Sequence, residues 1–422
     1  MYDKRISIAS LMLAVTIFFT GCGGSGSYSS GGGGSNPSPN TTAITVTFAG
    51  SGQPLAAATQ FGTGAWTTAT VTNKTLTLSV PNGTTNYAVA YVCPTWQGMG
   101  PVNPENVIEA TVADGVAYTV SCYAAPATGT VTGSANASAI AGTANISVRG
   151  MGGYGPSISG TSGSFSGSMP NGSNDVAAVA IDANQFPLGV KIVRAQTVPG
   201  AIPAITLAAS DAMVTQTITV TGSPAGFNAT PAVSASYLTG GGSSFYLDDN
   251  NSPTVYAVVP SAEALTGDYY SFETNNANVA TSQHVYAYEN TATAGAITLA
   301  YPPALPVAAP TAAAFPTFNF NYSAFAQSAF SSYTAEIQWP PSAGVDDALT
   351  VIATAKYLGG GATATVTIPN LTAIPGFLPS APSGANVYWR AVVTGGTYAA
   401  WATAPATSSL QLAEDDGNYT EP

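Results

Sequence analysis

The 422-residue chain carries 8 Lys and Arg against 20 Asp and Glu, so only 7% of it is charged and its formal net charge is −12. So few bases cannot neutralise a run of phosphates, which argues against nucleic-acid binding. A content of 45% hydrophobic and 10% aromatic residues argues equally against a disordered acidic chain, and the supply of Glu, Lys and Arg that long amphipathic helices need is missing.

Lys4 and Arg5 precede an apolar run over residues 6–19, then Thr20, Gly21 and Cys22. A charged start, a short apolar stretch and small residues before a cut make a secretory signal. As a helix the run rises about 21 Å, short of a hydrocarbon core of about 30 Å. Phe19-Thr20-Gly21-Cys22 resembles the bacterial lipoprotein signal. The resemblance implies removal of residues 1–21, acylation of Cys22 and a membrane contact made through that lipid. With Gly23, not Asp, after the cysteine, it also implies the bacterial outer membrane or cell surface. Residues 22–42 then read as the acylated cysteine followed by a Gly/Ser tether, with an r.m.s. span of about 25 Å.

Strand signals fill the rest. Thr45-Val46-Thr47-Phe48, Leu76-Thr77-Leu78-Ser79-Val80 and Tyr87-Ala88-Val89-Ala90-Tyr91 lie between clusters of Gly, Pro, Asn and Ser. Val80-Pro81-Asn82-Gly83 recurs 89 residues later as Met169-Pro170-Asn171-Gly172, and a looser copy covers Asp249-Asn250-Asn251-Ser252-Pro253 ahead of Val255. Each turn feeds a strand rich in Val, Ala and Tyr, and each copy follows an opening strand, at 45–48, 146–149 and 217–221. The expectation is three β-sandwich modules, at 43–124, 127–210 and 213–304, then a Pro-rich linker at 305–310. Cys93 and Cys122 belong to the first module, and export favours a disulfide between them. Closing that loop is worth roughly 3–4 kcal/mol on the chain-entropy account.

A fourth module at 311–411 has different strands, including Tyr333-Thr334-Ala335-Glu336-Ile337-Gln338-Trp339 and Val387-Tyr388-Trp389-Arg390-Ala391. With Ile368-Pro369-Asn370-Leu371 before the second of these, it resembles a fibronectin type III-like domain. The first module is similar to modules of uncharacterised bacterial surface lipoproteins, and the first three look more loosely like the small regulatory sandwiches of secreted carboxypeptidases. Residues 412–422 read as an acidic tail. The fold class expected is all-β: tandem antiparallel β-sandwiches, immunoglobulin-like or fibronectin type III-like.

Chemistry is sparse. His284 is the only histidine, alternates with Val285 and Ala287, and has no Gly-x-Ser-x-Gly elbow to serve. Gly150-Met151-Gly152-Gly153-Tyr154-Gly155 fits a dinucleotide fingerprint, but Pro156-Ser157-Ile158-Ser159-Gly160 is a poor helix start for the phosphates it would need to face. Asp248, Asp249 and Asn250 are weak calcium candidates without the spacing of a calcium loop. No metal or cofactor is therefore expected. Trp96, in an irregular stretch after Cys93, is the candidate contact for a glycan or protein partner.

The expectation is a non-enzymatic, lipid-anchored cell-envelope protein presenting modules for adhesion, spacing or protein interaction. The alternatives are a carbohydrate-binding surface lipoprotein and a secreted hydrolase with a cryptic site. The shortage of bases further suggests tolerance of acidic surroundings.

Overall fold

The computed structural model describes residues 41–50, 52–96, 101–102, 104–122, 127–153, 155–248, 254–305, 309–321, 331–339, 347–361, 363–397 and 405–422. The signal, Cys22 and nearly all of the tether lie outside them, as do Asp249, Asn250 and the side chain of Trp96.

Alternation of apolar and polar residues with period two generates the strands. The first module holds β1 (Thr41–Ala49), β2 (Ala56–Phe61), β3 (Thr67–Thr68), β4 (Thr75–Pro81), β5 (Asn86–Val92), β6 (Thr95–Trp96), β7 (Pro101–Val102), β8 (Glu105–Thr111) and β9 (Ala117–Ser121). The second holds β10 (Thr128–Asn136), β11 (Asn145–Arg149), β12 (Ser157–Ser159), β13 (Ser162–Pro170), β14 (Gly172–Ile181), β15 (Pro187–Val198), β16 (Gly200–Ala201) and β17 (Ile205–Thr206). After a single 3-10 turn, Ala209–Asp211, the third holds β18 (Val214–Thr221), β19 (Ala232–Leu238), β20 (Ser244–Tyr246), β21 (Val255–Val258), β22 (Tyr269–Asn278), β23 (Gln283–Thr291) and β24 (Ile297–Ala300). The fourth holds β25 (Thr317–Asn321), β26 (Ser332–Trp339), β27 (Asp347–Thr354), β28 (Thr363–Thr367), β29 (Asn386–Gly396) and β30 (Ser408–Thr420). The chain is all-β, as its composition implies.

One plan recurs in all four. A first strand (β1, β10, β18 or β25) pairs antiparallel with the strand that later leaves its small sheet (β4, β13, β21 or β28). The chain then crosses to the opposite sheet, where β5, β14, β22 and β29 sit between β2 and β8, β11 and β15, β19 and β23, and β26 and β30. The crossing has a signature: a buried apolar residue followed by proline, at Val80-Pro81, Met169-Pro170, Val259-Pro260 and Ile368-Pro369. The apolar side chain caps the core, while proline, lacking an N–H, ends the ladder. In the first two copies a glycine with positive φ follows, Gly83 at 85° and Gly172 at 113°.

This plan revises parts of the sequence reading. The opening strand of the second module is β10; residues 146–149 form β11 in the opposite sheet. The third copy of the turn is Val259-Pro260, because β21 occupies the place of β4 and the Asp249–Pro253 stretch precedes it. The fourth module, expected to differ, follows the same order.

The larger difference is how the modules join. The large sheets of the first, third and fourth modules merge edge to edge into one sheet of twelve strands, in the order β20-β19-β22-β23-β30-β29-β26-β27-β8-β5-β2-β3. The fourth module thus lies between the third and the first. β23 pairs antiparallel with β30 from Gln283↔Asp415 to Asn290↔Ser408, and β27 pairs parallel with β8 from Leu349↔Glu105 to Ala353↔Glu109. At about 4.8 Å per strand the sheet is about 50 Å wide. Residues 412–422, read from their charge as a tail, are mostly β30, an interior strand. Joining edges in this way satisfies backbone groups that each sandwich would otherwise expose. The sheet's two free ends are short strands, β3 of two residues and β20 of three, which offer little template for further pairing.

One face of the sheet shares a continuous core, from Ala58 and Val107 through Val351, Ile337 and Trp389 to Val285, Phe272 and Tyr237. Over the first module the other face is closed by β4-β1-β9, with Ile44, Val46 and Phe48 against Val89, Tyr91 and Ile108. The second module has its own two sheets around Val131, Met169 and Val176.

Candidate functional site

Cys93 and Cys122 form a disulfide with a Cα–Cα distance of 5.2 Å, both side chains buried. Cys93 follows β5 and Cys122 follows β9, so the bond ties the two sheets of the first module together. Trp96 lies in β6, paired with Pro101 of β7. Asp248 is 2% exposed, and its carboxylate accepts the Ala235 N–H, so it anchors backbone beside β19. Among the described residues no group of three or more His, Cys, Asp and Glu is arranged to hold a metal ion.

The main concentration of ionisable side chains lies on the sheet face opposite the continuous core, where the third module meets the fourth. Period-two alternation puts Glu336 (β26), Arg390 (β29) and Asp416 (β30) side by side, since Glu336↔Arg390 and Arg390↔Asp416 are register partners. One row further on, Glu414 stands opposite His284 of β23. Arg390 Nη2 donates to Glu336 Oε2 at 2.6 Å, with both side chains buried, and Gln338 donates to the other Glu336 oxygen. His284 Nε2 lies 3.5 Å from Asp416 Oδ1 at the partly exposed rim.

Electrostatics divides this group into floor and rim. Burial opposes the Arg390 charge, but Glu336 and Glu414 outweigh it and hold the guanidinium protonated. Burial raises the Glu414 carboxyl, an effect that Arg390 and His284 reduce. Burial and the neighbouring carboxylates also raise the Tyr286 and Tyr388 hydroxyls. Two buried polar atoms, Glu414 Oε2 and Arg390 Nε, have no hydrogen-bond partner. His284, Tyr286 and Tyr288 form a stacked ladder along β23, with ring centroids 6.3 and 6.4 Å apart. Chemically the patch offers aromatic faces, a His–Asp pair at its rim and a buried Arg–Glu pair beneath.

Sequence reasoning singled out His284 in isolation. Its partners Glu414 and Asp416 were hidden in the presumed tail, and the only signal that pointed to them was the alternation Leu410, Leu412, Glu414, Asp416 continuing past the expected end of the module.

A second ionic group fastens the second module to the third. Arg194 Nη1 donates to Asp175 at 2.8 Å, and Arg194 Nη2 donates to Asp268 at 2.7 Å. Lys191 Nζ meets Glu263 at 2.5 Å and Asp211 at 3.6 Å. Tyr237 and the Gly240 N–H also donate to Asp268, and the Gly241 N–H donates to Asp175. A third contact joins the fourth module to the first, where Asp114 accepts from Thr354 Oγ1 at 2.8 Å and lies 3.5 Å from Lys356 Nζ. Six basic residues follow residue 42, and three of them, Lys191, Arg194 and Lys356, bridge modules.

No family model and no curated protein matches the chain. Among solved structures, the Bacillus anthracis TIE protein is similar over 62% of this chain and 50% of its own length, at 9% identity and a TM-score of 0.15. The chain thus matches about half the length of that protein, and the likeness is too slight to bear on fold or function.

Proposed function

We propose that this chain is a non-enzymatic, lipid-anchored cell-envelope protein that presents a stiff β platform for adhesion, spacing or protein interaction. The observation that carries this reading is the twelve-stranded sheet: three modules share one sheet, so a binding face on any of them is held in fixed orientation to the others. The disulfide of the first module supports an oxidising compartment. Lipid at Cys22 and the Gly/Ser tether would set the platform away from the bilayer.

The test is metabolic labelling of bacteria expressing the full chain with an alkyne-tagged fatty acid, combined with protease treatment of intact cells. The expected result is label that disappears in Cys22→Ala and a chain cleaved from outside. An unlabelled cytosolic chain would overturn the proposal. A second reading, glycan binding, draws support from the His284–Tyr286–Tyr288 ladder beside Asp416, since aromatic faces with flanking carboxylates suit sugar rings. It requires glycan-array binding that falls in His284→Ala.

A further inference from the structure

The joint between the first and fourth modules is built unlike the other ionic contacts. Glu105 opens β8 directly opposite Leu349 of β27 and is 0% exposed. One carboxyl oxygen accepts the Leu378 N–H; the other, Oε2, is buried with no partner. No base faces it. β27 brings Asp347 to it, Val92 of β5 is its register partner on the other side, and the 371–380 segment supplies that N–H. On its own strand the nearest acid on the same face is Glu109, which faces Tyr357. Lys356, the basic residue at this joint, is held by Asp114 and the Ala113 carbonyl.

A carboxylate in such a place is a buried charge without a counter-ion, while a carboxylic acid is a neutral group that keeps the Leu378 bond. We propose that the β8–β27 joint is a proton-operated latch, closed when Glu105 is a neutral acid and loosened when it is ionised. The chain has one covalent route between the two modules, through the second and third, so opening this joint frees the first module's edge without unfolding it. Acidification therefore stiffens the platform and, on the lipid-anchored reading proposed above, neutral or alkaline conditions loosen the end nearest the tether.

The direction follows from linkage. Burial raises the Glu105 carboxyl to about 7, Asp347 adds to the rise, and the Leu378 N–H opposes it; burial also raises Glu109 to about 7. An acid whose value is higher in the closed state than in the open one stabilises closure as pH falls through the closed-state value. The gain is complete below the ordinary carboxyl value.

The test is hydrogen exchange by mass spectrometry on the full chain in detergent, with protection factors for 105–111 and 347–354 corrected for intrinsic rate. From pH 8 to pH 5 protection at the joint should rise on the order of 50-fold. Glu105→Gln should raise protection at pH 8 and leave only the part of the dependence that Glu109 carries, and Glu109→Gln should keep the part that Glu105 carries. Joint protection that does not change with pH in the unsubstituted chain overturns the proposal, whether or not the variants fold. A Glu105→Gln chain that keeps the full dependence overturns it too.

Discussion

The two joints that hold the ends of this molecule use opposite electrostatics. Between the second and third modules, Arg194 is clasped by Asp175 and Asp268, and Lys191 by Glu263. Between the first and fourth, a backbone ladder carries the contact and Glu105 is buried without a base. Six bases after residue 42 cannot pair nineteen acids. The chain places Arg194 and Lys191 at one joint and only the half-exposed Lys356 at the other, where Glu105 is left without a base. The same sandwich plan is thereby joined once by charge that must be present and once by charge that must be absent.

The largest effect is expected from breaking the paired joint. Arg194→Ala leaves Asp175 and Asp268, both buried, without their guanidinium, and should cost about 3–5 kcal/mol in urea unfolding. A loss below about 1 kcal/mol would mean that the ionic clasp is not what fastens the two modules.

The next effect is the pH profile, which separates the joints. Burial opposes the Asp175 charge, but the Ala195 N–H and Arg194 outweigh it and hold the carboxyl below its ordinary value. Its contribution is present above the unfolded value and is lost as pH falls through the depressed one, below about 4. Glu105, Glu109 and Glu273, each raised to about 7 chiefly by burial, act the other way and add stability as pH falls from 7. The thermal midpoint should rise by a few degrees between pH 8 and about 5, then drop below about 4. A midpoint that falls steadily from pH 8 would contradict the contrast. A rise to about pH 5 followed by that drop would also set the lower limit of the acid tolerance expected from composition.

The smallest effect should come from Lys356→Ala. Its side chain is half exposed, so losing the Asp114 contact should cost less than about 1 kcal/mol, and calorimetry should barely resolve it.

The strands and turns of this fold are legible because local chemistry writes them. Val80-Pro81-Asn82-Gly83 and Met169-Pro170-Asn171-Gly172 announce their turns, and Cys93 and Cys122 their bond. The joints are not legible, because they are backbone ladders that any extended sequence could form. Glu105 looks like one more polar residue at a strand start, and Glu414-Asp415-Asp416 looks like a solvated tail. Only the partner strand, placed from far away in the chain, reveals that those acids are interior. The third copy of the Pro turn is hard to place for a related reason: the Asn-rich stretch before β21 resembles the motif more closely than Val259-Pro260-Ser261 does, although only the latter follows the last strand before the chain crosses between sheets.

The claim on which the account turns is that three modules form one sheet, with β8 beside β27. Asn106 and Thr350 are register partners across that seam, so Asn106→Cys combined with Thr350→Cys should cross-link under mild oxidation, read as a linked peptide pair by mass spectrometry. Cross-linking at that pair, with none for Asn106→Cys combined with Thr367→Cys on the small sheet of the fourth module, is the predicted result. Thiols that stay reduced at acidic and neutral pH would show that the first module does not join the sheet.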